Sequence, residues 1–238
     1  MPFAPVLHAE WIKIRTLRSL VGSLAAILVA TSAFSALAAA DADADGTDPL
    51  FSAFFGVSFG QIAAIAFGTT ALSSEFRGGA LRLTLAAVPD RRRWFAAKAT
   101  AIALPVLAVG LLTGVVTLLV GKAVLGASGP SWAEGLRGAV GCGLHLTLMA
   151  LFAAGLAAVL RSGVATLSVL IPFLLIVSFV IGDLSGGVAD FLPDRAGQVA
   201  LHSTWDGALG PWSGLAVTAL WTAAALSAGA WSIHRRDA

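Results

Sequence analysis

Apolar residues in this chain run together instead of alternating with polar ones. Six predominantly apolar stretches stand out, at 19–40, 51–74, 99–120, 138–160, 163–182 and 212–233. A helix needs about 20 such residues to cross a hydrocarbon core of about 30 Å. In lipid every backbone polar group must be paired within the segment or within a closed barrel. Barrel strands would be about 10 residues long and alternate in polarity. Long continuous runs therefore predict helices, and the expected fold is all-α, a polytopic membrane protein with six transmembrane helices.

Composition agrees. Of 238 residues 58% are hydrophobic and 12% charged, against roughly 45–50% and about 25% in soluble domains, and the mean hydropathy is +0.88. A single membrane domain over 1–238 is expected, with little outside the bilayer. The one cysteine, Cys142, excludes an intrachain disulfide and makes a cysteine metal site implausible.

Charge sets the expected orientation. With the N-terminus in the cytoplasm, the inner segments hold Lys13, Arg15, Arg18, Arg77, Arg82, Arg91, Arg92, Arg93, Lys98, Arg161, Arg235 and Arg236, and the outer ones only Lys122, Arg137 and Arg195. Cytoplasmic loops carry the excess of Lys and Arg, so both ends are expected inside. The first run, ending in Ala38-Ala39-Ala40, has some features of a secretory signal. Its length favours a retained span.

Two segments outside the runs are amphipathic. In residues 1–18, Phe3, Leu7, Trp11 and Ile14 fall near one helical face beside Lys13, Arg15 and Arg18, which predicts an interfacial helix leading into span 1. Residues 75–98, between spans 2 and 3, hold six cations together with Phe, Leu and Val. Phe76, Ala80, Leu83 and Ala87 share a helical face. Gly78-Gly79 permits a bend, Pro89 ends the segment, and Asp90 is placed to cap a helix running into span 3. A short helix parallel to the membrane is expected. Its apolar face suits either a protein partner or lipid, the arginines then contributing about 1 kcal/mol each against anionic headgroups.

The spans carry few polar groups. Pro105 and Pro172 are expected to kink spans 3 and 5. Gly56-x-x-x-Gly60 and Gly110-x-x-x-Gly114 suit close helix packing, within the subunit or between subunits. His145 and Gln61 are intramembrane polar residues, candidates for interhelical hydrogen bonding or for function. No Asp or Glu lies in any of the six runs, which disfavours an ion-gradient-driven secondary transporter. Asp41-x-Asp43-x-Asp45-Gly46 begins like a calcium loop, but its twelfth position is Ser52 rather than Glu. A solvated outer turn is the simpler reading. His8, His202 and His234 show no metal spacing, and no nucleophile elbow or acid–base pair is visible. The nearest approach to a phosphate loop, Gly121-Lys122-Ala123, lacks the hydroxyl residue and the spaced glycine.

Several of these residues together resemble the ABC-2-type permeases. They are Glu75-Phe76-Arg77-Gly78 after span 2, the Pro89 and Arg91-Arg92-Arg93 corner, Lys98 opening span 3, the leading His8-Ala9-Glu10-Trp11-Ile12-Lys13-Ile14-Arg15, and the terminal Arg235-Arg236-Asp237. The resemblance spans the whole chain, although no single motif is diagnostic. It implies a dimeric transmembrane subunit of a bacterial plasma-membrane exporter, a homodimer or a heterodimer with a second permease, driven by a separate cytoplasmic ATPase. The chain itself would be no enzyme and hold no cofactor, ATP and Mg residing on the partner. The loop over 75–98 would be the coupling helix, with Glu75, Phe76, Arg77, Gly78 and Arg82 as its contact residues. The segment 183–211 would be an external re-entrant cap. Family substrates include drugs, antibiotic peptides, lipids and polysaccharides, and the apolar spans suggest an amphipathic or hydrophobic cargo. A non-transporting scaffold and a membrane enzyme are the remaining alternatives, and nucleic acid is not expected as a partner.

Overall fold

The computed structural model describes residues 3–42, 48–174, 186–205 and 207–235. The second half of the fifth predicted span, the start of the 183–211 segment, Asp43, Asp45 and Gly46 of the acidic run, and Arg236 and Asp237 lie outside them. Among the described residues there is no β-strand.

Helix α1 (Phe3–Thr16) leads through Leu17 into α2 (Arg18–Ala40). Asp48 accepts hydrogen bonds from the amides of Leu50 and Phe51 and, with Pro49 behind it, starts α3 (Pro49–Phe54). The predicted second span is therefore broken near its beginning, since α4 (Val57–Ser73) starts afresh after Gly56. The Gly56 amide donates to Ser35 Oγ on α2 at 3.0 Å, which satisfies the backbone at the break. A 3-10 turn over Ser74–Phe76 and a bend through Gly78 and Gly79, both at positive φ, lead to the short α5 (Ala80–Ala87).

Asp90 caps α6 (Arg91–Leu125), accepting from the amides of Arg92 and Arg93. At 35 residues, α6 is about 52 Å long, far longer than the predicted span at 99–120, because the arginine-rich start is helical too. It runs unbroken through Pro105. A Ser131–Glu134 capping box opens α7 (Trp132–Leu160), which ends on Arg161 in the left-handed conformation. The described part of the fifth predicted span is α8 (Gly163–Pro172) and the residues just after it. Short turns over Gly186–Phe191 and Val199–Leu201 flank α9 (Pro193–Gln198), and α10 (Pro211–Arg235) closes the chain.

Among the described residues, five helical stretches are long and apolar enough to cross a membrane: Arg18–Ala40, Pro49–Phe76, Arg91–Ser128, Trp132–Leu160 and Pro211–Arg235. Helix α7 is their hub, packing on α4, α6 and α10, while α2 lies across α4 and α6. Small residues bring these helices together almost backbone to backbone. A Cβ added to Gly68 of α4 would overlap the carbonyl of Ala150 on α7, and one on Gly155 of α7 would meet the backbone of α10 at 2.6 Å. Both small-residue motifs pack within the subunit. Gly56 and Gly60 lie against Thr31 of α2, and Gly110 and Gly114 against Gly143 and Ala139 of α7.

Helices α2 and α4 run in opposite directions, as do α6 and α7, while α7 runs parallel to α4 and α10, so the bundle has two unlike ends. One end gathers the start of α6 and the end of α10, where the Arg91 guanidinium donates to the Ile233 carbonyl at 2.7 Å. Lys13, Arg77, Arg82, Arg92, Arg93 and Arg161 are here too, and this is the basic end. The other end carries α3, the α6–α7 turn and α9, where Asp41, Asp48, Glu134, Asp190 and Asp194 outnumber Lys122, Arg137 and Arg195 among the described residues, and is the acidic end.

Candidate functional sites at the two ends of the bundle

At the basic end four charged side chains from three separate parts of the chain meet in the interior. Glu10 of α1, Glu75 of the turn after α4 and Lys98 of α6 are each 2–3% exposed. Lys98 Nζ lies 2.5 Å from Glu10 Oε2 and 2.6 Å from Glu75 Oε1. Lys13, half-buried, lies 2.9 Å from both Glu10 and Glu75. Two carboxylates and two ammoniums thus alternate in a neutral ring, and Thr84 of α5 donates to the second oxygen of Glu75 at 3.4 Å. Partial burial works to lower the pKa of Lys13, but the hydrogen bonds and charges of Glu75 and Glu10 outweigh it and hold the ammonium above its ordinary value. Each buried charge is compensated, as burial of ions requires. The ring ties α1, α4, α5 and α6 into one unit.

That ring decides how the loop over 75–98 faces. Glu75 points inward. Phe76 is half-buried, with the Arg161 guanidinium 5.7 Å over its ring. Arg77, Gly78 and Arg82 are exposed, as is Leu83, at 75%. The apolar residues of α5 that turn inward are Leu81 and Leu85, followed by Val88, while Leu83 and Ala87 of the expected apolar face are exposed and Ala80 is half-buried. The bend at Gly78-Gly79 shifts the helical phase, so Phe76 does not share a face with the helix that follows. In α1 the buried stripe is Val6, Glu10 and Ile14, while Phe3 and Trp11 remain exposed. Glu10, Lys13 and Lys98 went unrecognised as a set because nothing in a linear pattern joins residues 88 positions apart. The only signal was an acid standing on an otherwise apolar helical stripe.

At the acidic end a cleft of about 510 Å³ opens between α3, α4, α9 and the end of the α8 segment. Phe51, Phe55 and Phe59 line one side, each ring within 5.8 Å of the next. Asp190, Asp194, Arg195 and Gln198 line the other. Ser58 bridges the two sides with a 3.3 Å hydrogen bond to Gln198. Gln61 forms part of the floor, and its Oε1 accepts from Nε2 of the fully buried His145 at 3.1 Å. The two intramembrane polar residues therefore pair with each other across α4 and α7. Gly197 of α9 lies directly over that imidazole, where any Cβ would overlap Nδ1.

The cleft's rim is held by a polar tie. Asp48 Oδ2 accepts from the amide of Ser203 at 2.8 Å and lies 3.3 Å from His202 Nδ1. The His202 ring stacks on Phe51 at 4.5 Å. Burial works to raise the pKa of Asp48, but hydrogen bonds from Ser203, Phe51 and Leu50 outweigh it and hold the carboxyl below its ordinary value. Burial lowers the His202 pKa, and the Asp48 carboxylate offsets this only in part. Arg137 of α7 donates to the His202 carbonyl at 2.6 Å, and the Trp221 indole of α10 donates to the Phe191 carbonyl at 2.9 Å. Residues 186–205 are thereby laid across the ends of α7 and α10.

Among the described residues no group of His, Cys, Asp and Glu is arranged to hold a metal ion. Compared with known proteins, the chain matches no protein-family model and no curated protein.

Proposed function

We propose that this chain is the membrane-spanning subunit of an ATP-binding cassette transporter. It would have six spans with both ends in the cytoplasm, act in export, and draw its energy from a separate ATPase bound at the basic end. The observation that carries this reading is the loop over 75–98. Its exposed side offers Arg77, Arg82 and Leu83. Its buried side is fixed through Glu75 to Lys98 of α6, and through Lys13 and Glu10 to α1. Arginine with an apolar neighbour suits an interface anchor. A loop pinned to three helices by buried ion pairs transmits a push to them as a rigid body. The excess of cations at this end agrees with a cytoplasmic location.

Glu75 serves this reading from inside, as the residue that fixes the loop, while Arg77 and Leu83 present the contact. The ion-gradient alternative calls for carboxylates along the transport path. Both buried carboxylates of the basic end are instead each bonded to two ammoniums.

Co-expression of the full chain with its candidate ATPase, followed by affinity capture in mild detergent, tests the proposal. Wild type should retain the ATPase in stoichiometric amount. The pair Arg77→Glu and Leu83→Asp should lose it at unchanged melting temperature, since neither side chain is buried. Retention of the ATPase by that variant, with vesicle transport intact, would remove the coupling role.

A further inference from the structure

We propose that the acidic-end cleft is a binding site for hydrophobic organic cations, which rests on the transporter reading for its purpose but not for its chemistry. The cleft combines an aromatic side and a carboxylate-bearing side facing it. Phe51, Phe55 and Phe59 offer a continuous aromatic surface about two turns long, and the negative face of such rings attracts a cation within about 6 Å of the centroid. Opposite them stands Asp190, half-buried, with no hydrogen bond or ion pair to any described residue. Asp194, 4% exposed, adds a second carboxylate to the same wall, and Asp48 stands at the rim behind His202.

Arg195 is the one permanent cation among the described lining residues. His202 is disfavoured as a cation by its burial, so among the described lining residues Asp190 and Asp194 stand against Arg195 alone. The volume of about 510 Å³ lies within the roughly 300–1,000 Å³ of small-molecule sites. Gln61, held by His145, gives the floor one fixed polar contact. A delocalised cation with an aromatic body meets every one of these features: its charge faces Asp190, its rings lie on the phenylalanines, and little hydration is lost on leaving water.

The test is equilibrium binding to the purified full chain in detergent, measured with the cation tetraphenylphosphonium and its anionic isostere tetraphenylborate. The cation should bind saturably and the anion should not compete. Asp190→Asn and Phe55→Ala should each weaken cation binding about tenfold, within the range of a desolvated cation–aromatic contact. Arg195→Gln, which removes the opposing charge, should tighten it. Equal binding of both ions, or cation affinity unmoved by all three variants, would overturn the site and show partition into the micelle only. Circular dichroism and the melting temperature verify that each variant is folded. If the cation binds as described while no ATPase is captured, the site stands and the transporter reading falls; if the ATPase is captured and the cation does not bind, the site alone falls.

Discussion

The two ends of the bundle handle buried polar groups in opposite ways. At the basic end Glu10, Glu75, Lys13 and Lys98 satisfy one another and leave no room between them. At the acidic end Asp190 and Arg195 face open space, and the polar contacts that do form, Asp48 with Ser203 and Ser58 with Gln198, hold the rim and walls of a cleft. Closed charge fixes backbone segments in place, whereas open charge is available to a visitor. The first arrangement suits transmission of force and the second suits recognition.

Removing one charge at each end should separate the two most sharply. Lys98→Met leaves two buried carboxylates with only the half-exposed Lys13 between them. Breaking a buried pair this way typically destabilises by about 3–5 kcal/mol, and thermal unfolding in detergent should show a collapse of the melting temperature. A stability near wild type would mean that water reaches the ring. Lys13→Met removes the outer member and should lose no more than about 1 kcal/mol, because its ammonium is partly solvated. Its pKa is raised on folding, so this contribution is complete below the unfolded value near 10.5 and disappears as the pH rises through the folded one. The gap between wild type and variant should be constant at neutral pH and close only in strong alkali.

At the acidic end Asp190→Asn should leave stability within about 0.5 kcal/mol of wild type, despite weakening cation binding. A large loss there would mean that Asp190 is structural and would erase the contrast. The smallest effect belongs to His202. Its pKa is lowered on folding, so the unfolded chain takes up its proton first as the pH falls below about 6.5. Wild type should lose a little melting temperature on acidification through that range, a small effect because the ring is partly solvated. His202→Gln should lack that particular dependence. Parallel melting curves for both proteins from pH 7.5 to 5.5 would exclude the tie as a titrating element.

Much of the architecture was legible because hydropathy reports burial in lipid directly. The first predicted span, 19–40, differs from α2 by one residue at its start. Helix ends were less visible where charge and helicity part company. The start of α6 is cationic yet helical, because Asp90 caps it and arginine is a good helix former. The break at Phe55–Gly56 was hidden, since apolar residues continue across it and only Ser35, on another helix, reveals the redirected amide.

The candidate sites were harder to read for the same physical reason. Gln61 and His145 each drew attention as polar residues in apolar runs, but their pairing depends on how α4 meets α7. Likewise Glu75 looked like a surface residue within an arginine-rich loop. Only the fold brings Lys98 and α1 to it. The segment 183–211 carries Phe191, Leu192, Val199, Leu201 and Leu209, too many apolar residues for a plain loop, and residues Gly186 to Leu201 form short turns whose register no periodicity announces.

Glycine at the helix contacts has a geometric consequence for passage. Where Gly68 meets Ala150, Gly114 meets Ala139 and Gly155 meets Ala225, main chains touch, leaving no room for a solute between α7 and its three neighbours at those crossings. On the proposed transporter reading, a cargo would not pass between these helices, and its track would follow the outer wall, completed by a second protomer or by the surrounding bilayer.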